Sequence, residues 1–226
     1  GRAMSSMMIS DLSVIERIQL VERERLEEVM AELDLQHSGR VDPESAQSLG
    51  MIVGAQYLVF GSFVTADPEM RLDTRVTRTE TTEIVTTADV RGRGESLFDL
   101  QQALADTLIA GLELVLTDEE RARLRERQEA NRIDDMETVL AFSEALCLLD
   151  YGAYPEAFEA IQRVRTAAPG SPLVGATFDL LRDRAEEDAR SRVTGAARSR
   201  LGGLGGIGRV VERSLPEPER RRPTQC

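Results

Sequence analysis

The stretch from Gly54 to Val90 reads GAQYLVFGSFVTADPEMRLDTRVTRTETTEIVTTADV, and its pattern decides the fold class. Apolar or β-branched residues alternate with polar ones in three runs, as they do along strands that have one buried face. The runs cover Gln56 to Val64, Met70 to Thr79 and Ile84 to Val90. Short polar turns, at Asp67-Pro68 and from Glu80 to Glu83, separate them. We therefore predict a three-stranded antiparallel meander without a long inserted hairpin.

Helical patterns flank the predicted sheet on both sides, with apolar residues recurring at steps of three or four. The predicted helices cover residues 4–16, 23–35, 42–53 and 97–116. Pro43 suits the first turn of the third of these helices, and Gly54 suits its end. A brief strand is also predicted from Ile18 to Val21. The expected fold class is therefore α/β (α+β), an antiparallel meander sheet packed with helices.

The second half of the chain has a helical pattern throughout. Thr117, followed by three acidic residues, is typical of a helix N-terminus, and the helix that follows is rich in Arg, Glu and Gln. Two helices are expected on either side of residues 150–154, and a third after Pro172. We predict an α/β domain at 1–116, a solvated helical connector at 117–132, a small all-α helical-hairpin module at 133–190 and a Gly/Arg/Pro-rich flexible tail at 191–226.

Composition and motifs argue against catalysis and against nucleic-acid binding. The net charge of −12, from 40 acidic and 28 basic residues, would repel a polyanion. The single histidine, His37, has no second histidine or cysteine near it in the sequence, as a metal site or a nucleophile–base pair would need. The glycines at 202–208 follow no predicted strand, and the chain has no lysine for a phosphate loop. We therefore predict no enzyme activity, no metal and no cofactor.

Two further features leave alternatives open. Cys147 lies in an apolar run, where a buried inert thiol is expected, and two cysteines neither prove nor exclude an oxidising compartment. After Ser191 the chain has eight arginines and three glutamates. Such a basic tail can contact an acidic partner, membrane headgroups or cell-wall anions. Solubilising disorder explains the same composition equally well.

Several segments of the first half resemble the CsgG-like curli production and secretion family, which has a FlgO/TolB-N-like periplasmic α/β domain. Leu20 to Leu26 (LVERERL) resembles the family segment vvER-x-x-l, and Gly54 to Ser62 (GAQYLVFGS) resembles the family strand GA-x-y-l-v-x-G-s. Residues 41–50 (VDPESAQSLG) look like the helix before the sheet, and 71–76 and 82–85 fit the next two strands. The resemblance covers about residues 1–125.

The resemblance implies a non-catalytic component of the cell envelope that acts in secretion or surface-structure assembly. It would lie in the periplasm and act through protein–protein contacts as a homo-oligomer. Association with the outer membrane would come from a lipoprotein anchor upstream of Gly1. A soluble adaptor that binds a peptide or small ligand, with the helical hairpin recruiting a partner, is the alternative.

The sequence departs from the family pattern in two places. The pattern begins with a strand resembling AVLPF before the first helix, whereas this chain starts at that helix. Either the chain lacks a segment at its start or another chain supplies the strand. A sheet edge left unpaired here would invite association with another chain. Pore-forming members insert long membrane hairpins where this chain has tight turns. The resemblance therefore implies the periplasmic domain and not the channel.

The segment from Ala141 to Pro169 resembles a tetratricopeptide-type helical hairpin. The matching positions are Ala145, Leu146, Leu149, Gly152, Tyr154, Ala157, Phe158 and Pro169. A single repeat cannot bury its own face, so it is expected to stack on the third helix, on a partner chain, or on both. The predicted interaction residues are Tyr151, Tyr154 and Phe158 of this hairpin, together with Glu22 and Arg23 of the first domain.

Overall fold

The computed structural model describes residues 1–21, 25–26, 29–30, 43–66, 69–93 and 97–201. Within these ranges the chain forms seven helices and three strands. In chain order they are α1 (Arg2–Leu12), α2 (Pro43–Val53), β1 (Tyr57–Ala66), β2 (Glu69–Arg78), β3 (Ile84–Arg93), α3 (Leu97–Gly111), α4 (Asp118–Ala130), α5 (Met136–Asp150), α6 (Tyr154–Ala167) and α7 (Pro172–Leu201). The predicted α/β class, with helices following the sheet, is confirmed.

β2 is the central strand and pairs antiparallel with β1 on one side and with β3 on the other. Its side chains alternate, because Leu72 and Val76 are buried while Arg71 and Arg75 are exposed. β1 and β2 pair in an unbroken register, whereas a β-bulge between Val76 and Thr77 interrupts the pairing of β2 with β3. The predicted meander is confirmed, with one face of β2 turned to the core.

α3 packs on β3 and β2. The end of α3 lies close to the sheet, because a Cβ on Gly111 would lie 2.2 Å from Thr86 Cγ2. α3 ends at Gly111, five residues earlier than predicted. There Glu113 takes φ +53° and Leu114 N–H donates to Ile109 O at 3.0 Å. These are the features of a Schellman motif, which turns the chain out of the helix.

The predicted strand from Ile18 to Val21 is wrong, because this segment is not in a strand. Ile18 N–H donates to Ile15 O at 3.0 Å in a turn that follows α1. The side chains of Ile18 and Leu20 pack, partly buried, against the apolar core. A short apolar run becomes a strand where a neighbouring strand offers main-chain partners, and this run instead buries its side chains beside helices.

The helices of the second half begin where their sequence signals predict. α4 follows Thr117 in a capping box: Glu120 N–H donates to Thr117 Oγ1 at 3.1 Å, and Thr117 N–H donates to Glu120 Oε2 at 2.8 Å. α5 and α6 pack against each other as a hairpin, and α7 packs on α6. α7 continues to Leu201, which is ten residues past Ser191, the point where the sequence predicts a flexible tail to begin.

α1 lies between the half that contains the sheet and the helical half. It contacts α3, α4, α5 and α7. Its buried residues are Ala3, Met4, Ser6, Met7, Met8, Asp11 and Leu12. One apolar cluster runs from β2 through α1 to α7, and Arg2 Nε lies 3.1 Å from Asp150 Oδ2 at the end of α5. The packing of α1 therefore links the two halves of the molecule.

Some predictions fall on residues outside the described ranges. They concern most of the helix at 23–35, His37, the turn at Asp67-Pro68 and the glycines at 202–208. Cys147 on α5 is buried and disulfide-bonded, so the expectation of a free buried thiol is wrong.

Candidate protein-contact surfaces

The turn between α5 and α6 positions two of the predicted interaction residues. Gly152 takes φ +68° there, and Ala153 N–H donates to Leu148 O at 2.9 Å. Tyr151, which ends α5, is 47% exposed. Tyr154, which begins α6, is half-buried, and its ring lies 3.8 Å from the position of a Cβ on Gly152. Tyr151 is therefore available to a partner, whereas Tyr154 packs against its own hairpin.

Phe158, the third predicted residue of the hairpin, joins α6 to α7. Its ring meets that of Phe178 edge to face, with centroids 5.6 Å apart and an interplanar angle of 73°. The guanidinium of Arg165 lies 4.2 Å from the centroid of the Phe178 ring, in cation–π geometry. The half-buried Phe158 thus packs the hairpin of α5 and α6 against α7, which is the third helix of this half of the chain.

An open groove of about 690 Å³ runs along α5 and α6, and we call it the hairpin groove. Apolar, acidic and basic side chains line it: Glu144, Leu148, Glu156, Phe158, Glu159, Gln162 and Arg163. Arg163 pairs with Glu144 across the two helices. With three glutamates against one arginine, the groove combines apolar contacts with an acidic rim. It suits a ligand that offers an apolar side chain and positive charge.

A second candidate surface is the β1 edge of the described sheet together with the exposed residues of α2, and we call it the β1 edge surface. Val59 and Val64 flank this edge from opposite faces of the sheet, because they pair with the buried Val76 and the exposed Arg71. Four apolar side chains there are 48–64% exposed: Met51, Ile52, Val59 and Val64. β1 is an edge strand of the described sheet, and its ten residues include no charged side chain. Edge strands usually carry charges, proline or bulges that prevent pairing with other chains. This surface therefore has the features of a contact site for another strand.

β3, the other edge of the described sheet, is charged. Arg91 Nε lies 3.0 Å from Asp89 Oδ1, and Arg71 Nη2 on β2 lies 3.0 Å from Asp89 Oδ2. The hydrogen bond from Arg91 lowers the pKa of Asp89 below its ordinary value. Charged side chains and the β-bulge oppose the addition of a further strand to β3. β1 and β3 therefore differ in how readily a further strand could pair with them.

Two other kinds of feature, a metal centre and a membrane-spanning helix, are absent from the part of the chain that the structure describes. No cluster there brings together three or more His, Cys, Asp or Glu side chains able to hold a metal ion. None of the described helices combines the length and the apolar character needed to cross a bilayer. The predicted interaction residues Glu22 and Arg23 lie outside the described ranges.

Sequence reasoning missed Phe178, Arg165 and the glutamates of the hairpin groove as members of the candidate surface. α7 does carry a signal for Phe178, because Val174, Phe178 and Leu181 recur at steps of four and three. That spacing marks the face of α7 that packs on α6. The groove glutamates carry no such signal, since they resemble the solvated residues of any charged helix.

Comparison with protein-family models gives a match over residues 1–71 to the family described as curli production assembly/transport component CsgG. The matched residues include α1, α2, β1 and the first residues of β2, so the β1 edge surface lies within them and the hairpin groove does not. Comparisons with curated proteins and with solved structures found no match. Residues 1–71, which are under a third of the 226-residue chain, are therefore similar to the CsgG family of curli production, assembly and transport components.

Proposed function

We propose that this protein is a non-catalytic component of the cell envelope that acts in secretion or surface-structure assembly through protein–protein contacts. The observation that carries the proposal is the similarity of residues 1–71 to the CsgG family, whose description is a curli production assembly/transport component. The β1 edge surface lies in that same region, where β1 is an edge strand of the described sheet beside exposed valines. A protein that works by contact with other chains needs such a surface.

The finer parts of the proposal concern place and organisation. We place the protein in the periplasm as a homo-oligomer, associated with the outer membrane through an anchor. Its first part would be a FlgO/TolB-N-like α/β domain, and residues 141–169 a tetratricopeptide-like hairpin. Tyr151, Tyr154 and Phe158 would contribute to contacts of the hairpin, and Glu22 and Arg23 to contacts of the first domain. The boundaries at 116, 132 and 190 belong to the same proposal.

Multi-angle light scattering over a concentration series tests the oligomeric state. We expect a mass above that of one 25.0 kDa chain. Val59→Lys and Val64→Lys should lower that mass, because each puts a charge on the β1 edge surface. Val115→Lys is the matched control, since Val115 is an exposed valine between α3 and α4. A monomer at every concentration would contradict the proposal.

Fractionation of the source cells with an antibody against the protein tests its location. The proposal expects the protein in the periplasmic or outer-membrane fraction, released by the same treatments as known proteins of that compartment. A cytosolic marker enzyme serves as the control for lysis. Recovery of the protein with that marker would contradict a role in the cell envelope.

The hairpin groove favours a second candidate function, a soluble adaptor that binds a peptide. Leu148 and Phe158 offer apolar contacts, and Glu156 and Glu159 offer negative charge. Fluorescence anisotropy with a labelled peptide that carries one leucine between arginines tests this candidate. Replacing both glutamates by glutamine should weaken binding by at least about fivefold, because two attractive charges are lost.

The control for the adaptor test is Glu119→Gln, which removes an exposed carboxylate on α4 away from the groove. It should leave the affinity for the peptide unchanged. If Glu119→Gln weakens binding as much as the groove variants do, the peptide is held by overall charge. The adaptor candidate is then rejected, while the proposal for the cell envelope is unaffected.

A further inference from the structure

Asp11 on α1 forms a buried pair with Gln101 on α3. Their residues are 0% and 1% exposed, and Gln101 Nε2 donates to Asp11 Oδ2 at 2.7 Å. Each side chain has one further oxygen, Asp11 Oδ1 and Gln101 Oε1. Both oxygens are buried and have no hydrogen-bond partner within the described residues. Two groups that already touch thus leave two buried acceptors unsatisfied, and Gln128 Nε2 on α4 is a buried donor that also lacks a partner within the described residues.

The chemistry of the pair shows what would satisfy both oxygens. A carboxylate and an amide oxygen are both acceptors, so neither can donate to the other. A proton on Asp11 Oδ1 is a donor that Gln101 Oε1 can accept. The acid and the amide then form a ring with two hydrogen bonds. With the amide rotated by 180°, Gln101 Oε1 would face Asp11 Oδ2, and that contact also requires a proton.

We propose that in mildly acidic solution Asp11 holds a proton in the folded protein and forms a carboxylic acid–amide pair with Gln101, so that the packing of α1 against α3 and α4 responds to pH. The proposal is independent of the function proposed above. It assigns a role to a buried acidic group that the protein-contact surfaces do not use. Burial of a polar pair is stable when each donor and acceptor has a partner.

The surroundings of Asp11 favour the neutral acid. Burial raises the pKa of Asp11 from its ordinary 3.8 to about 6, against the opposing influence of the hydrogen bond from Gln101, of the nearby amides of Asn131 and Gln128 and of the charge of Arg127. Gln101 lies on α3, and Gln128 and Arg127 lie on α4. The charged group that acts on Asp11 is Arg127 of α4.

The pair lies beside the contact between α1 and α7. Asn131 Nδ2 donates to Ser10 Oγ on α1 at 2.9 Å, and Leu173 N–H on α7 donates to Asn131 Oδ1 at 2.9 Å. Loss of the Asp11 proton puts a negative charge next to this link at a residue that is 0% exposed, where a charge is costly. Above its pKa, Asp11 should therefore weaken the junction between the two halves of the molecule.

The test begins with the wild-type protein. A ¹³C NMR titration of the aspartate carboxyl carbons should show Asp11 changing protonation near pH 6, and the Asp11→Asn variant identifies its signal. A midpoint at or below about 4, the ordinary value for an aspartate, would overturn the proposal. The midpoint is read from the wild-type protein, and the variant serves only to identify the Asp11 signal.

Urea unfolding at pH 5 and pH 8 gives the second measurement. With a pKa near 6 in the folded protein, Asp11 should raise the unfolding equilibrium constant by about tenfold over that range. Asp11→Asn should abolish this part of the pH dependence, because asparagine reproduces the two hydrogen bonds of the protonated acid at any pH. Asp106→Asn, on the exposed side of α3, should keep it. An unchanged pH dependence in Asp11→Asn would overturn the proposal.

Discussion

Phe158 on α6 and Phe178 on α7 meet edge to face, with their ring centroids 5.6 Å apart. This contact joins the hairpin to the helix that follows it. Phe178→Ala should therefore lower the free energy of unfolding by about 2 kcal/mol, since a half-buried ring and its aromatic contact are lost. Urea unfolding measures the change. Phe178→Leu, which keeps apolar contact, should cost less, and an equal cost would show that the aromatic geometry contributes nothing.

Three helices end in the same left-handed turn, but with different residues. Gly54 ends α2 and Gly152 ends α5, whereas Glu113 stands at this position after α3, with φ +53°. A side chain with a Cβ is strained in that conformation, so Glu113→Gly should raise the free energy of unfolding by about 0.5 to 1 kcal/mol. Thermal or urea unfolding checks the sign. Destabilisation of the protein by this variant would contradict the prediction.

Glycine-to-alanine substitutions provide the matched comparison. Gly152→Ala should destabilise the protein by about 1 kcal/mol, because alanine is strained at φ +68°. Gly175→Ala should stabilise it by about 0.5 to 1 kcal/mol, since Gly175 lies within α7 and a Cβ there meets no atom within 4 Å. Opposite signs for the same chemical change are the expected outcome in urea unfolding. Equal signs would mean that backbone conformation does not decide the effect.

Glu120 at the start of α4 should make stability fall in acid. Its hydrogen bond with the Thr117 backbone and then that with Arg17 lower its pKa below the ordinary 4.5. A carboxylate with a lowered pKa stabilises the fold above 4.5, and this stability is lost as pH falls through its folded-state pKa. Wild-type protein should therefore lose more stability between pH 5 and pH 3 than Glu120→Gln does.

The control for Glu120 is Glu119→Gln, in the same helical turn but exposed. It should show the pH dependence of the wild-type protein. Urea unfolding at the two pH values gives the comparison. If the two variants lose the same stability on acidification, the capping box and Arg17 do not act through the charge of Glu120.

Tyr151 and Tyr154 should respond differently to truncation. Tyr151→Ala should change the free energy of unfolding by less than about 0.5 kcal/mol, because the ring is exposed at the turn. Tyr154→Ala should lower it by about 2 kcal/mol, because that ring packs against the core. Urea unfolding of the two variants measures the difference. Equal losses would show that the two tyrosines do not divide the structural and contact roles as their exposure indicates.

Features that depend on neighbours along the chain can be predicted from the amino-acid pattern. Alternation predicts the three strands and the buried side of β2, since the side chains of a strand point to opposite faces. Thr117 and Glu120 predict the start of α4, because a capping box needs two residues at a spacing of three. The resemblance to a tetratricopeptide-type hairpin likewise predicts that Tyr151, Tyr154 and Phe158 lie on the hairpin.

Tertiary structure decided the features that depend on residues far apart in the sequence. Ile18 to Val21 has the composition of a strand, yet it packs beside helices where no strand pairs with it within the described residues. Asp11 and Gln101 are 90 residues apart, and their pair depends on how α1 lies against α3. The position of β1 at an edge of the described sheet and the contact of Phe158 with Phe178 also depend on tertiary packing. Each depends on which surfaces the folded chain brings together, and a local pattern carries no information about that choice.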